Sequence, residues 1–191
     1  GGEELVTIFS VEKGRCTDFQ FNLAKECIKR LKTFKHPNIL TYVDSLETDA
    51  FIYLVTERVR PLEQYIQSVR LKGDEKQQLI SWGLFQILNA LKFVSQDCKL
   101  HHNIMTVHGV FVNECGDWKV GSVEYVSPHG PDQSPPSKPH SLTKYDAPEV
   151  KTGRGFVGPV WACDIFGFAS LIWELYNGSL DTTNSLKQPK N

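Results

Sequence analysis

The most restrictive feature of the sequence is the segment of residues 161–176, which is apolar on nearly every side of a helix. Such a helix needs cover from other elements, so it predicts the centre of a helical core, and Gly178 suits the position just past its end. Two more helices are predicted upstream, over residues 61–69 and over residues 74–94 behind the N-cap residue Asp74. The longer one carries an apolar stripe at helical spacing, made of Ile80, Leu84, Ile87, Leu88, Leu91 and Val94.

The first part of the chain has the composition of a sheet with one helix. Residues 5–11, 39–46 and 51–56 are rich in β-branched and aromatic residues, which favours strands. Residues 18–33 follow a T-x-x-Q capping box and repeat apolar residues at helical spacing, which predicts an amphipathic helix. The proline in residues 36–38 (HPN) ends this helix. Its basic row is interpreted as a solvated face and consists of Lys25, Lys29, Arg30 and Lys32.

Residues 98–124 are predicted to form a tight loop followed by a β-hairpin. The hairpin strands are residues 110–113 and 118–121, joined by a polar turn over residues 114–117. Residues 127–143 contain five prolines and no apolar periodicity, which predicts a mobile loop. This order of elements predicts an α+β fold of two unequal lobes, with a ligand-binding cleft between them.

Composition excludes several functional classes. The 191 residues are 40% hydrophobic and 23% charged with a formal net charge of −1, which argues against nucleic acid or an anionic membrane as the main partner. No apolar run has the length of a membrane span, and no signal peptide opens the chain. The five scattered cysteines include no CxxC pair, so we expect a reduced intracellular protein without a zinc site.

Three histidines in the predicted loop raise the hypothesis of a metal site: His101, His102 and His108. No thiol or carboxylate stands at matching spacing in the sequence, so no metal site is predicted. His102 is expected to pack within the loop, and the other two histidines are expected to face solvent.

Five segments in this order resemble subdomains of the protein kinases. They are HPNIL at 36–40, IYLVTE at 52–57, the loop and hairpin at 100–113, APE at 147–149 and DIFGFASLIWEL at 164–175. The resemblance implies a two-lobed kinase-like fold that is truncated at both ends. It places the small lobe in residues 1–56, the connector in residues 57–60 and the large lobe in residues 61–191. The catalytic signatures of kinases can then be compared position by position.

Two charged residues that act on nucleotide phosphates in kinases have no counterpart here. The strand lysine corresponds to Phe9 and the helix glutamate corresponds to Cys27. Glu26 is adjacent to Cys27, but it lies about 100° round the helix on a different face.

The catalytic loop and the metal ligands differ in the same way. The proton-accepting aspartate falls on Ile104, the magnesium-binding asparagine on Gly109, and the second magnesium ligand on Ser122. Isoleucine cannot accept a proton, and magnesium prefers a carboxylate to a neutral hydroxyl. A rival register places Asn103 at the aspartate position, and Glu124 carries a carboxylate two residues late.

Positions with architectural roles in kinases do match. Asp164 corresponds to the aspartate that bonds backbone amides of the catalytic loop, and residues 147–149 correspond to the motif that anchors the activation loop. The scaffold positions are kept while the chemical positions are lost, which indicates a pseudokinase. No catalytic, cofactor-binding or metal-binding residue is therefore predicted, and no cofactor.

The finer resemblance is to the Scy1-like, or N-terminal kinase-like, pseudokinases. It rests on ISWGL at 80–84 and WKVG at 118–121, which ordinary kinases seldom carry, and on RLKT at 30–33, VFV at 110–112 and LIWE at 171–174. The resemblance implies a cytoplasmic scaffold in Golgi-to-endoplasmic-reticulum traffic, peripheral at Golgi or intermediate membranes. Its implied partners are other proteins, among them components of the COPI coat.

Two alternatives remain open. An atypical kinase would bind ATP weakly and retain serine/threonine phosphoryl transfer. A phospho-regulated binding module would use Ser127 or Ser134, each followed by proline, although the kinase arginine that pairs with activation-loop phosphate corresponds to Asn103 here. Because connector backbone can bond an adenine-like ring, any nucleotide is expected near Thr7, Thr56, Glu57 and Val59.

Overall fold

The computed structural model describes residues 5–130, 136–151, 159 and 161–177. The fold is α+β, as predicted. Its strands are β1 (Val6–Glu12), β2 (Tyr42–Glu47), β3 (Phe51–Glu57), β4 (Val59–Pro61), β5 (Leu100–His101), β6 (Val110–Asn113), β7 (Trp118–Val120) and β8 (Ser127–Pro128). Its helices are α1 (Asp18–Thr33), α2 (Leu62–Ser68), α3 (Gly73–Lys92), α4 (Pro148–Lys151) and α5 (Ala162–Asn177).

The described residues divide into two compact units. The first contains the described residues up to Ala90 together with His108–Glu124. The second contains Leu91–Val107 and the described residues from Tyr125 onward. The division into lobes at residues 57–60 stays a prediction. No helix in the described part of the chain is long and apolar enough to cross a membrane.

The first unit is built on an antiparallel sheet in the order β1-β3-β2. Side chains of β3 alternate between buried and half-buried, because successive residues point to opposite faces of a strand. The predicted capping box of α1 is confirmed: Thr17 Oγ1 accepts a hydrogen bond from the Gln20 backbone N–H, and Gln20 Oε1 accepts one from the Thr17 N–H. The helix buries Phe21, Ile28 and Leu31.

The predicted hairpin is confirmed as β6 and β7, with Gly116 in its turn at a φ of 85°. β4 adds a third strand that pairs antiparallel with β6. The sequence did not predict this strand, because Val59–Pro61 is too short for a pattern and proline is tolerated only at a sheet edge.

Helix α3 continues into a π-helical turn, Phe93–Asp97. The stripe predicted on this helix is wrong at Leu88, which is 38% exposed, and it omits Gly83, which is buried. Trp118 of β7 lies against Gly83, so the buried face of α3 includes Gly83. Leu88 consequently lies at the edge of the buried stripe.

In the second unit, two predictions need correction. The segment 127–143 is not a loop throughout, because it contains β8, which pairs with β5, and a 3-10 helix, His140–Tyr145; residues 131–135 lie outside the described residues. Helix α5 is not buried on every side. Four of the five residues on its buried face are polar or glycine, and Leu171 is the apolar one: Asp164, Gly167, Ser170, Leu171 and Glu174.

The remaining face of α5 leaves large apolar side chains 40–52% exposed. They recur at helical spacing and are Trp161, Ile165, Trp173 and Tyr176, the first of which immediately precedes the helix. Hydropathy alone could not distinguish the two faces, because most residues of the buried face are polar or glycine. Gly178, the predicted end signal, lies outside the described residues.

Candidate functional site

A cavity of about 340 Å³ lies within the first unit. It is lined by residues of β1, α1, β3 and β6 and by the segment that follows β7. On α1, the small side chains of Ala24 and Cys27 face it one turn apart, which leaves space that longer side chains would fill. Its aliphatic lining consists of Val11, Leu23, Ala24, Ile28, Leu40, Ile52 and Leu54.

Three positions that the sequence singled out line this one cavity: Phe9, Cys27 and Ser122. The Phe9 ring meets the Phe111 ring edge to face, with 5.3 Å between centroids. The Cys27 Sγ is 3.6 Å from the backbone oxygen of Gly121, to which it donates a weak hydrogen bond. The structure therefore brings together three residues that are far apart in the sequence.

The cavity carries no positive charge among its described lining residues, and Glu124 is the acidic residue in that lining. Burial raises the pKa of the Glu124 carboxyl above its usual 4.5, against a smaller opposing effect of its own backbone N–H. Burial, followed by the nearby Glu124 charge, raises the pKa of the Cys27 thiol to about 12. The site can hold apolar groups and hydrogen-bond donors, but it offers nothing to neutralise a phosphate.

The connector between β3 and β4 has its backbone groups engaged by threonine side chains. The Val59 N–H donates to Thr7 Oγ1 at 2.9 Å, and the same hydroxyl lies 3.2 Å from the Val59 oxygen. The Thr56 hydroxyl donates to the backbone oxygen of Glu57 at 2.9 Å. The sequence placed any nucleotide near these four residues, and the structure brings all four to the connector.

Glu57 ties the connector to the hairpin. Its carboxylate accepts a hydrogen bond from the Thr41 N–H at 2.9 Å and lies 3.2 Å from the ammonium of Lys119. Burial raises the pKa of Glu57, but the Thr41 hydrogen bonds and Lys119 outweigh it, so the pKa is lower than the usual 4.5. The sequence does not predict this pair, because Glu57 and Lys119 belong to strands that are far apart in the chain.

In the second unit, Asp164 holds the loop before the hairpin. Its two carboxylate oxygens accept backbone hydrogen bonds from His102 and Asn103, each at 2.8 Å, which confirms the role predicted for Asp164. The following residue, Ile104, is buried, with 5% of its surface exposed. In the first unit, the backbone oxygen of Gly109 accepts a hydrogen bond from the Gly121 N–H.

Hydrogen bonds hold both the side chain and the backbone oxygen of Asn103. Its side-chain amide donates to the Tyr125 backbone oxygen and to the Ser127 hydroxyl, each at 2.8 Å. Lys138, which also forms an ion pair with Asp146, donates to the Asn103 backbone oxygen. No pattern in the sequence predicts that the Lys138 side chain is buried, since it lies in a proline-rich segment. Ser134 lies outside the described residues.

His101 is buried rather than solvent-facing, which corrects the prediction; His108 is exposed. The His101 ring contacts two groups: its Nε2 lies 2.8 Å from Nδ1 of His129, and its Nδ1 lies 3.2 Å from the Cys163 sulfur. With Asp164, these atoms include three potential metal ligands within 4.8 Å of one another. Both Asp164 oxygens already accept backbone amides, and burial raises the pKa of the Cys163 thiol, so we interpret the cluster as a hydrogen-bond network.

The two strings that distinguish this sequence from ordinary kinases meet in the first unit. The Trp118 indole is buried against the backbone of Gly83, where an added Cβ would be 2.0 Å from ring atoms. One turn later, the Gln86 side-chain oxygen accepts from the Trp118 backbone N–H, and its side-chain amide donates to the Asp117 carboxylate, each at 2.9 Å. ISWGL and WKVG are therefore two sides of one contact between α3 and the hairpin.

The sequence is similar to known kinase-like proteins. A protein named probable inactive serine/threonine-protein kinase scy1, from Dictyostelium discoideum, is 31% identical over 188 residues, which are 95% of this chain and 22% of the relative. The protein kinase-like protein SCY1 of Saccharomyces cerevisiae is 26% identical over 183 residues, 83% of this chain and 22% of that protein. The chain is a kinase-like domain of the Scy1 type.

A third relative of this Scy1-type domain is the mouse protein-associating with the carboxyl-terminal domain of ezrin, 40% identical over 99 residues, 51% of the chain and 12% of that protein. No protein-family model matches the chain. The chain spans about a fifth of the length of its Scy1 relatives. The α+β fold is accordingly of the kinase-like class.

Proposed function

We propose that this Scy1-type domain is catalytically inactive and serves as a scaffold for other proteins. The observation that carries the proposal is the chemistry of the cavity in the first unit. Phe9, Cys27 and Ser122 line it at the positions where the kinase resemblance expects a lysine, a glutamate and a magnesium-binding aspartate. The single carboxylate in this apolar lining would repel the triphosphate of ATP. The lining also has too few oxygen ligands to hold Mg²⁺.

The connector supports the same proposal. An adenine ring would need backbone groups of the connector, and Thr7 already bonds both the N–H and the oxygen of Val59. Displacing that hydroxyl leaves a partly buried donor to be satisfied again, so binding starts at a disadvantage.

The catalytic loop supports inactivity as well. The two amides that bond Asp164 belong to His102 and Asn103, which directly precede Ile104, the residue aligned with the catalytic aspartate. In the rival register the residue is Asn103, whose side-chain amide is engaged with Tyr125 and Ser127. Neither residue is a general base.

Protein binding is the role that remains for such a domain. One relative is named for association with a domain of ezrin, and another is named an inactive kinase. The resemblance to Scy1-like proteins extends the proposal to Golgi-to-endoplasmic-reticulum traffic with COPI components, in the cytoplasm and at the Golgi periphery. The lobe division at residues 57–60 belongs to the same proposal.

A thermal-shift titration with ATP, with and without Mg²⁺, tests the loss of nucleotide binding. We expect no saturable shift at micromolar ATP, while an active protein kinase in parallel gives one. A saturable, magnesium-dependent shift would overturn the proposal. The alternative, an atypical kinase, predicts transfer of the γ-phosphate that disappears in Ser122→Ala or Glu124→Gln.

The scaffold role has its own test. Affinity purification with the full-length protein, scored for COPI subunits, should recover them in excess over a tag-only control. Replacing the exposed stack of Trp82 and Phe85 with alanines, and separately replacing Trp173, asks which face is used. Absence of coat subunits from the purified material would exclude the trafficking part of the proposal and leave inactivity untouched.

A further inference from the structure

The cavity in the first unit is shaped as a ligand site of its own. Its volume of about 340 Å³ falls in the lower range of small-molecule sites in proteins. Such sites combine an apolar wall with a few polar groups that converge at one end. Here the polar residues of the lining are Cys27, Ser122, Glu124 and Gln20, whose side-chain oxygen already accepts the Thr17 N–H.

We propose that this cavity binds a small molecule with a planar apolar body and a protonated amine, the amine pairing with Glu124. The proposal goes beyond the scaffold function and does not depend on it, since a scaffold needs no ligand in this cavity.

The positive charge of the ligand is inferred from the absence of a cationic partner for Glu124 among the described residues. No residue in the described part of the chain forms an ion pair with Glu124, and no lysine or arginine lines the cavity. A carboxylate in apolar surroundings is costly without a counter-charge or a hydrogen-bond donor. A ligand ammonium supplies both at once, whereas a carboxylate or phosphate ligand would place a second negative charge beside the first.

The planar shape of the apolar body is inferred from the aromatic residues in the lining. Phe9 and Phe111 stand edge to face, so a flat ring can stack on one face or meet one edge. Among the α1 residues of the lining, Ala24 and Cys27 have small side chains, which leave room for such a ring. A two-ring aromatic system fits this volume, and a long side-chain substitution at Ala24 would fill it.

Three probes of one shape but different charge test the proposal: naphthylmethylamine, naphthylmethanol and naphthoate. Titration calorimetry with the full-length protein at neutral pH should give the order amine, alcohol, carboxylate. We expect the amine to bind about tenfold or more tightly than the alcohol, because a buried charge-assisted hydrogen bond exceeds a neutral one. Equal affinity for the three probes, or no saturable binding of any, would overturn the proposal.

Two variants separate the charge from the space. Glu124→Gln should remove the preference for the amine and keep the binding of the alcohol. Glu26→Gln is the matched control, because Glu26 pairs with Lys29 on another face of α1 and should leave the preference unchanged. Ala24→Phe should weaken all three probes. An amine preference that survives in Glu124→Gln would place the ligand elsewhere and refute the proposal.

A measurement on the unmodified protein keeps the test valid if a variant does not fold. Hydrogen–deuterium exchange followed by mass spectrometry reports on each backbone segment separately. Bound naphthylmethylamine should slow exchange in the segment that contains the lining residues Gly121, Ser122 and Glu124, and leave α2, which does not line the cavity, unchanged. Equal slowing of both segments, or of neither at saturating amine, would contradict the assignment.

Discussion

Single side chains decide what the connector after β3 can bind. Thr7 stands on β1 opposite Thr56 of β3, and from there its hydroxyl reaches the backbone of Val59. An alanine or valine would leave the same backbone groups open. A serine or threonine closes them without changing the fold, because one hydroxyl can accept from an N–H and donate to an oxygen.

Thr7→Ala should open the connector. We expect the free energy of unfolding to fall by about 1 kcal/mol, the net value of a typical hydrogen bond. Adenine, which carries no phosphate, should bind measurably better to the variant than to the wild type, as detected by ligand-observed NMR. Thr48→Ala is the control, because Thr48 likewise accepts a backbone hydrogen bond, from Phe51, but lies in the turn between β2 and β3. Equal adenine binding in Thr7→Ala and wild type would contradict this role of Thr7.

Asp164 makes a pH dependence measurable. Burial raises its pKa from 3.8 to about 6, although the amides of His102 and Asn103 pull in the opposite direction. A carboxyl with a raised pKa in the folded state favours folding while it is protonated, so its contribution is complete below pH 3.8 and is lost as the pH rises through about 6. The pKa difference corresponds to about 3 kcal/mol.

Urea unfolding between pH 4 and pH 7 tests this effect against Asp164→Asn, which cannot ionise. Wild type should lose stability relative to the variant by up to about 3 kcal/mol across this range. Asp49→Asn, in the exposed turn between β2 and β3, is the matched control. Parallel pH profiles for wild type and Asp164→Asn would show that the carboxyl does not titrate as expected.

At the scale of elements, α3 and the β6–β7 hairpin are held by a contact of unusual closeness. Gly83 lets the Trp118 ring lie directly on the helix backbone, and Gln86 fixes the strand one turn later with two hydrogen bonds. Lys119, the next residue of β7, pairs with Glu57 of β3. The hairpin is thus tied to a helix on one side and to a sheet on the other.

Gly83→Ala should destabilise the first unit despite the higher helix propensity of alanine. Its Cβ would lie 2.0 Å from the Trp118 ring, and overpacking of this kind costs about 1–3 kcal/mol or more. Gly14→Ala is the control, since nothing lies within 4 Å of its added Cβ. Guanidinium unfolding of both variants gives the difference; similar midpoints for the two would contradict the contact.

Local patterns were sufficient to predict four of the five α-helices and most strands, and they missed the one-turn helix α4. The capping box located the start of α1, and the polar turn located the hairpin β6–β7. Patterns failed where distant partners decide the outcome, as at β4, which is a strand only because β6 pairs with it. For the same reason the sequence identified Phe9, Cys27 and Ser122 as replaced, but it could not show that they line one cavity together with Glu124.

At the scale of the whole molecule, the exposed apolar side chains are the main physical feature of the surface. On α5 they form one stripe at helical spacing, of which Ile165 and Trp173 are 40% and 41% exposed. Stripes of this kind mark sites of association, either with other proteins or with further copies. In the first unit the stacked pair of Trp82 and Phe85 is exposed in the same way.

The double variant Ile165→Lys and Trp173→Lys should reduce self-association of the protein. Sedimentation velocity over a range of concentrations should show less concentration-dependent mass than wild type. The free energy of unfolding should change little, within about 1 kcal/mol, because both side chains are partly in solvent. Leu171→Lys, on the same helix but fully buried, should instead unfold the second unit. Unchanged association in the double variant would exclude the α5 stripe as its cause.

The hydroxyl of Thr7 has a consequence for pharmacology. Many ATP-competitive kinase inhibitors are heterocycles that depend on a connector N–H, and in this domain such a compound must first displace Thr7 from Val59. We therefore expect such inhibitors to bind this protein weakly. A cellular phenotype caused by those compounds should not be attributed to it, and a selective probe would have to be designed for a different recess of the domain.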